Sequence, residues 1–232
     1  MKDAASPVII VIIPAYNEEQ AIPLVISEIP SFIKEVVVVN NNSTDNTGDA
    51  AKRAGATVIE ESTPGYGRAC LKGIAYAKQM MPAPDIIVFI DGDYSDYPSE
   101  TTLLTNKIIE QDYDLVIGSR ALGQIEKNSM TVPQVFGNWL ATRLLRLFYK
   151  VHYTDLGPFR AIKFESLLRM NMQDTTYGWT VEMQLKAAKL KMKITEVPVR
   201  YRRRIGFSKI SGTVKGTVMA GYKIITTIFK YL

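Results

Sequence analysis

Asp91 and Asp93 stand one residue apart at the end of an apolar run, in "DIIVFIDGDYSDYP" (85–98), and Asp96 follows closely. Carboxylates this near repel one another unless solvent screens them or a cation compensates them. Two carboxylates on a turn after a strand can share one divalent cation. A hard ion such as Mg²⁺ or Mn²⁺ takes oxygen ligands and accepts diphosphate oxygens as well. Held there, it would offset charge on a departing diphosphate. The plainer reading is a polar turn in which Asp91 caps the next helix.

The elements that must position these residues favour a site. Three β-branched runs, 8–14, 35–40 and 85–91, are apolar without alternation, so both faces of each strand should be buried. Shorter strands are expected at 57–61 and 114–120, and helical patterns at 18–29, 45–54 and 67–81. Strands alternating with helices predict βαβ units, hence an α/β, mostly parallel, Rossmann-like sheet with helices on both faces. Ligands of such sheets bind beyond the carboxyl ends of the strands. Four polar clusters fall there: Pro14-Ala15-Tyr16-Asn17, Asn40-Asn41-Asn42-Ser43, Asp91-Gly92-Asp93 and Gly118-Ser119-Arg120.

Asn offers donor and acceptor together, which suits a nucleobase edge, while Ser43 or Thr44 is placed to cap the following helix. "PGYGRACLKG" (64–73) has Cys70 where a dinucleotide fingerprint needs its third glycine. It fails as that fingerprint, but Arg68 can still reach phosphate from the start of a helix. In "RYRRRIGFSK" (200–209), Arg204, Ser208 and Lys209 flank a glycine-containing loop and are the candidate phosphate contacts. The rest of that run reads as a solvated strand face. His152 and the two tryptophans, Trp139 and Trp179, read as incidental or packing residues.

Composition narrows the classes. The chain has 232 residues, 47% of them apolar, enough for a sizeable core. One cysteine forbids an internal disulfide and fits a reducing compartment. A single histidine nearly excludes a Cys/His zinc site. No run approaches the roughly 18 apolar residues of a membrane span. The net charge of +5 is uneven: residues 1–185 carry 16 basic against 22 acidic side chains, and 186–232 carry 12 against one. Such a tail suits phosphates on nucleic acid, on a membrane or on a substrate. No stacking array or nucleic-acid module accompanies it, so no nucleic-acid partner is expected.

The second half contains an amphipathic helix at 136–151, with Phe136, Leu140, Leu144, Leu147 and Val151 on one face and Arg143, Arg146 and Lys150 on another. A helix over 180–190, a strand over 194–204 and a final helix from about 212 follow. No linker or repeat divides the chain, so residues 1–232 are expected to form one domain, with 205–232 a basic amphipathic extension. In the last helix Val214, Val218, Tyr222, Ile225, Phe229 and Leu232 share one side, beside Lys215, Lys223 and Lys230. Both helices have the form of membrane-surface helices. Packing on the domain or on a second subunit gives the same period.

Taken together, "IPAYNEE" (13–19), "NNNSTDNT" (40–47), "GYGRACLKGIAYA" (65–77), "DGDYSDYP" (91–98) and "GSR" (118–120) resemble family 2 glycosyltransferases. "TDLGPFRAI" (154–162), "YGWTVEMQLKA" (177–187) and "EVPVRYRRRIGFSKISGT" (196–213) are similar to the branch of dolichyl- and polyprenyl-phosphate sugar synthases. The resemblance implies a glycosyltransferase A fold, a nucleotide-sugar donor and a Mg²⁺ or Mn²⁺ cofactor. It implies Pro14, Ala15, Tyr16 and Glu18 at the nucleoside and Asn41 facing the base. Asp91, Gly92 and Asp93 would meet metal and diphosphate, and Arg120, Arg204 and Lys209 would meet phosphate. "NNN" replaces the family's acidic pair, which leaves base identity open. Ser95 stands where the branch often has Gln, which leaves Asp96 or no residue as third ligand.

The expectation is inverting transfer of a hexosyl unit from a UDP- or GDP-hexose to a polyprenyl- or dolichyl-phosphate acceptor. The enzyme is expected to be cytoplasmic, peripheral at the cytoplasmic membrane face, with a homo-oligomer possible. An already anionic acceptor phosphate needs no general base; an alcohol does, and Asp155 is the candidate. The alternatives are a soluble sugar, peptide or glycan acceptor, or a catalytically silent nucleotide-sugar-binding scaffold.

Overall fold

A computed structural model describes residues 6–206 and 214–231. The first half alternates β1 (Ile9–Ala15), α1 (Ile22–Ser27), β2 (Glu35–Asn41), α2 (Thr47–Arg53), β3 (Thr57–Glu61), α3 (Tyr66–Ala77) and β4 (Ile86–Phe89). There follow α4 (Thr101–Gln111), β5 (Leu115–Ser119), α5 (Val132–Tyr149), β6 (Arg160–Lys163), α6 (Phe164–Met170), α7 (Trp179–Lys189), β7 (Ile194–Pro198) and α8 (Val214–Lys230).

One seven-stranded sheet runs in the order β3-β2-β1-β4-β6-β5-β7. All neighbours are parallel except β6, which is antiparallel to both β4 and β5. The unbroken apolar runs are explained by burial on both sides. Ile10, Ile12, Val37, Val39, Ile87 and Phe89 pack on one face with residues of α3, α5 and α7. Ile9, Val11, Ile13, Val38 and Val88 pack on the other with residues of α1, α2 and α4. Helices therefore cover both faces, as the sequence predicts. α8 packs on α5 and α7, burying Thr227 and Ile228.

Several boundaries differ from the expected ones. The helix expected at 18–29 shrinks to α1, because residues 17–19 are tied sideways to the segment after β2. Asn17 N–H donates to Ser43 Oγ at 3.0 Å and Glu18 N–H to Thr47 Oγ1 at 2.7 Å. Ser43 and Thr44 therefore serve this cross-link instead of capping α2, which starts after Asn46 with no side-chain cap. The strand expected at 194–204 stops at Pro198, which lacks an N–H for the ladder. The alternation beyond it is real: Val199 and Tyr201 are buried while Arg200 is exposed. That segment makes only isolated bridges, Tyr201 pairing with Asp96 and with Ile125. α5 begins four residues earlier than expected, at Val132, after the N-cap Thr131, whose side chain forms a capping box with Gln134.

Candidate active site

The carboxyl ends of β1, β2 and β4 meet the start of α3 around a cavity of about 300 Å³. Pro14, Ala15, Tyr16 and Glu18 line it from β1, Asn41 from β2, and Asp91, Gly92 and Asp93 from β4. Arg204 reaches in from the C-terminal segment. Of the expected site residues, these nine share one cavity. Arg68, Arg120 and Asp155 do not line it, and Ser208 and Lys209 lie outside the described residues. Pro64, Gly65, Tyr66, Ala69 and Tyr177 line it without having been singled out as ligand contacts. Tyr66 was legible as the residue between two loop glycines; Tyr177, more than 80 residues from the aspartates, gave no local signal.

Asn41 is a bracket for the loop before α3. Its Nδ2 donates to Glu61 O at 3.0 Å and Thr63 O at 2.7 Å, and its Oδ1 accepts from Gly65 N–H at 2.8 Å. Both amide hydrogens are used, so one Oδ1 lone pair is what remains for a ligand. The two glycines of that loop allow a close approach. A Cβ on Gly65 would meet Thr175 O at 2.3 Å, and on Gly67 Asp174 O at 2.0 Å. Arg68 N–H also donates to Thr175 O, at 3.1 Å, while its side chain is exposed. The partner loop, 173–178, carries Tyr177. Buried Glu182 holds it by accepting from the N–H groups of Gln173 and Asp174. α8 braces it, with Lys223 Nζ at 3.0 Å from Asp174 and Tyr231 donating to Glu182 at 2.6 Å.

The acidic turn has unequal members. Asp93 Oδ1 accepts from Ser95 N–H at 2.9 Å and Ser95 Oγ at 2.5 Å, and its Oδ2 pairs with Arg204 Nη2. Asp91 Oδ1 accepts from Tyr66 O–H at 3.0 Å. Burial and the Asp93 charge push the Asp91 carboxyl up to about 7, against the pull of Arg204. Asp96 is buried, with no hydrogen bond to either oxygen from the described residues. Burial, with Asp91 and Asp93 beside it, pushes its carboxyl well above the usual range. It does not line the cavity.

Among the described residues no three His, Cys, Asp or Glu side chains form a metal-holding group. Asp91 and Asp93 nevertheless fit a divalent ion. They are hard oxygen donors opening on a cavity, and burial together with the Asp93 charge raises the Asp91 carboxyl. An ion there would take its remaining ligands from diphosphate and water.

Arg120 and Asp155 are placed differently from the expected roles. Arg120 Nε and Nη2 bond Asp155 Oδ2 and Oδ1 at 2.8 and 2.7 Å, and Arg120 N–H bonds Oδ2 at 2.8 Å. The guanidinium lies 5.0 Å from the Tyr201 ring centre. Glu196 fixes the same turn by accepting from the N–H groups of Thr154 and Asp155. Both Asp155 oxygens are thus bonded to the guanidinium, and neither residue lines the cavity. In the sheet β6 lies between β4 and β5, so the end of β5 is not adjacent to the end of β4 and does not line the cavity.

The basic run is also less solvated than its composition suggests. Arg202 stacks 3.3 Å from the Tyr94 ring centre and 4.2 Å from that of Tyr97. It also pairs with Glu28 at 2.9 Å. Its Nε donates to Tyr94 O at 2.7 Å and its N–H to Ser95 O at 2.9 Å, so it pins the acidic turn. Arg200 pairs with Glu100 at 2.6 Å.

A mostly parallel sheet with one antiparallel strand inserted, and a paired-aspartate turn at its carboxyl edge, is the architecture of the glycosyltransferase A class. The chain belongs to Glycosyl transferase family 2, whose sequence pattern matches residues 10–170, and it is an enzyme of that family. It is 32% identical over 216 residues to a dolichyl-phosphate hexose transferase of Haloferax volcanii, covering 90% of this chain and 89% of that one. It is 28% identical over 221 residues to an undecaprenyl-phosphate mannosyltransferase of Micrococcus luteus, again covering 90% and 89%. Its fold matches glucosyl-3-phosphoglycerate synthase of Mycobacterium tuberculosis, a structure holding Mn²⁺, UDP and phosphoglyceric acid. The TM-score is 0.78 at 22% identity, covering 98% of this chain and 79% of that one.

Proposed function

We propose that the chain transfers a hexosyl unit, with inversion, from a UDP- or GDP-hexose to a polyprenyl-phosphate type of acceptor at a membrane surface. Residues 1–232 then act as one catalytic domain. The observation that carries the donor half is the shared cavity of Asn41, Asp91, Asp93 and Arg204. The free Oδ1 lone pair of Asn41 suits a base edge that donates, as uracil N3–H and guanine N1–H do. Cytosine and adenine present acceptors at the corresponding positions and are disfavoured. A Mg²⁺ or Mn²⁺ ion bound at Asp91 and Asp93 would supply charge compensation for the diphosphate. Arg204 adds a guanidinium on the same side, and Tyr66 keeps Asp91 oriented. Held in line, the donor needs only an acceptor oxygen that is already nucleophilic.

The commitment of Asp155 to Arg120 favours an anionic phosphate over an alcohol as acceptor, and the named activities of the two relatives point the same way. So does the surface of α5 and α8. No helix among the described residues is long and apolar enough to cross a membrane. Yet much of the apolar surface of α5 and α8 faces outward: Val132 is 83% exposed, Leu147 69%, Val218 63% and Tyr222 65%, while Leu144 and Val151 of the expected stripe pack against the core. Phe136, Trp139 and Phe229 are exposed beside them, next to exposed Arg143, Arg146 and Lys230. Core packing uses other residues, Ala141, Leu145 and Ile228. Lys223 is drawn onto Asp174, and the side chains of Val214 and Lys215 lie outside the described residues, as does Leu232. Apolar insertion with basic attraction to anionic headgroups fits this surface, each well-placed cation adding about 1 kcal/mol.

Two experiments test the reading. UDP-, GDP-, CDP- and ADP-hexoses are offered with Mn²⁺ and undecaprenyl phosphate or a soluble sugar phosphate, and products are identified by mass spectrometry. Glycosylated undecaprenyl phosphate from a UDP or GDP donor is expected; transfer to the soluble phosphate alone would replace the lipid reading. Flotation with anionic liposomes at low and high salt tests the surface. Binding at low salt is expected, weakened by salt and in Arg143/Arg146/Lys230→Glu. A wild-type protein that stays unbound, or that dimerises through this face, refutes it.

A further inference from the structure

The acidic turn already holds a cation, Arg204, and the geometry of that contact has a consequence for metal entry. Asp93 Oδ1 is engaged twice by Ser95, so Oδ2 is the oxygen left to ligate, and Arg204 Nη2 sits on it. The grip is one-point. Among the described residues Arg204 Nε is buried with no hydrogen-bond partner, whereas Arg120 uses both Nε and Nη2 on Asp155. A guanidinium offers five donors, so a one-point contact with an orphaned Nε is one it can improve on. The backbone on either side is fixed. Arg202 is pinned by Glu28, Tyr94 and Tyr97, and Ile205 N–H donates to Asp93 O at 3.0 Å. A change at Arg204 is therefore a side-chain rotation, with no loop movement.

We propose that Arg204 is a stand-in cation. In the metal-free protein it neutralises the ligating oxygen of Asp93. When a divalent ion and diphosphate enter, it yields that oxygen and turns its guanidinium, Nε included, onto the diphosphate. The exchange keeps Asp93 compensated at every stage and makes empty-site metal binding weak, so that the ion is retained only together with a diphosphate. This rests on the metal-dependent reading above.

The test follows Mn²⁺ binding by the paramagnetic resonance signal of free Mn²⁺, without nucleotide and then with saturating UDP or GDP. Wild type is compared with Arg204→Gln, Arg204→Lys and Arg203→Gln. Arg203 is a matched charge control, because it is the adjacent cation but is held by Glu126 and Lys127 away from the aspartates. Without nucleotide, Arg204→Gln is expected to bind Mn²⁺ at least about fivefold tighter than wild type, with Arg204→Lys close to wild type and Arg203→Gln within about twofold. With nucleotide, the gain in Arg204→Gln should vanish or reverse. Thermal unfolding without metal confirms that each variant is folded. Equal or weaker Mn²⁺ binding by Arg204→Gln overturns the stand-in role while leaving the metal site intact. An equal gain in Arg203→Gln overturns it too, by showing only through-space charge. Absence of Mn²⁺ binding in wild type with and without nucleotide instead removes the metal reading itself.

Discussion

Arg120 and Asp155 lie 35 residues apart in the chain and meet as a buried two-point ion pair. Removing one partner strands the other charge in the interior, which typically costs about 3–5 kcal/mol. Asp155→Ala and Arg120→Ala should each lower stability by that order in urea unfolding, and the double variant should lose much less than the sum. Asp155→Asn, which keeps the shape, should retain transfer with an unchanged pH profile. Loss of an ionisation from that profile would restore Asp155 as a base.

Asp93→Asn should abolish metal-dependent donor binding in a folded protein. Two effects on metal-free stability oppose each other: the Asp91–Asp93 repulsion is relieved, and Arg204 loses its partner. The melting temperature without metal should therefore move only a few degrees. Calorimetric titration with Mn²⁺ and UDP or GDP checks the binding. Binding as in wild type would show that the turn is merely a turn.

Metal binding should depend on pH through Asp91. Its unfolded carboxyl ionises near 3.8 and its folded one near about 7, so between these values the metal-free folded state keeps a proton that the unfolded state has lost. That contribution to stability is intact below 3.8 and is lost as pH rises through about 7. A cation needs the carboxylate, so Mn²⁺ affinity should fall about tenfold per unit below pH 7. Titrations at pH 6, 7 and 8 test this; a flat response would place Asp91 outside the ligand set.

Asn41→Ala removes three bonds to the 61–65 loop. A loss of about 1–3 kcal/mol in stability is expected, together with reduced preference for UDP or GDP over CDP and ADP in competition binding. Unchanged selectivity with lowered stability would leave Asn41 a bracket and not a reader of the base.

Gly67→Ala puts a Cβ within 2.0 Å of Asp174 O, so the 173–178 loop must move. Because that loop carries Tyr177 into the cavity, donor affinity should drop more than tenfold. Hydrogen exchange should rise at 173–178. The same substitution at Gly137, which has open space, should do nothing.

The parallel strands and the polar rim that lines the cavity were legible in the residue pattern alone. β1, β2 and β4 are apolar on both faces, and their polar ends fall at one rim because parallel strands end on one side. The pattern also marked Asp91, Asp93 and Asn41, since their chemistry is local to a strand end. It did not reveal β6 or α6. β6 has four residues and begins with Arg160, a buried guanidinium satisfied by the carbonyls of Leu156, Gly157 and Thr180, and no sequence pattern announces such a strand. Which cations meet which anions was set by folding. Arg120 and Arg204 look alike in sequence, each beside a loop. One, just after β5, which β6 separates from β4, pairs with Asp155; the other reaches Asp93 because Tyr201, Arg202 and Ile205 fasten the C-terminal segment across the acidic turn. Pairings of this kind depend on contacts between residues tens to more than a hundred positions apart, and charge carries no label of its partner until the chain has folded.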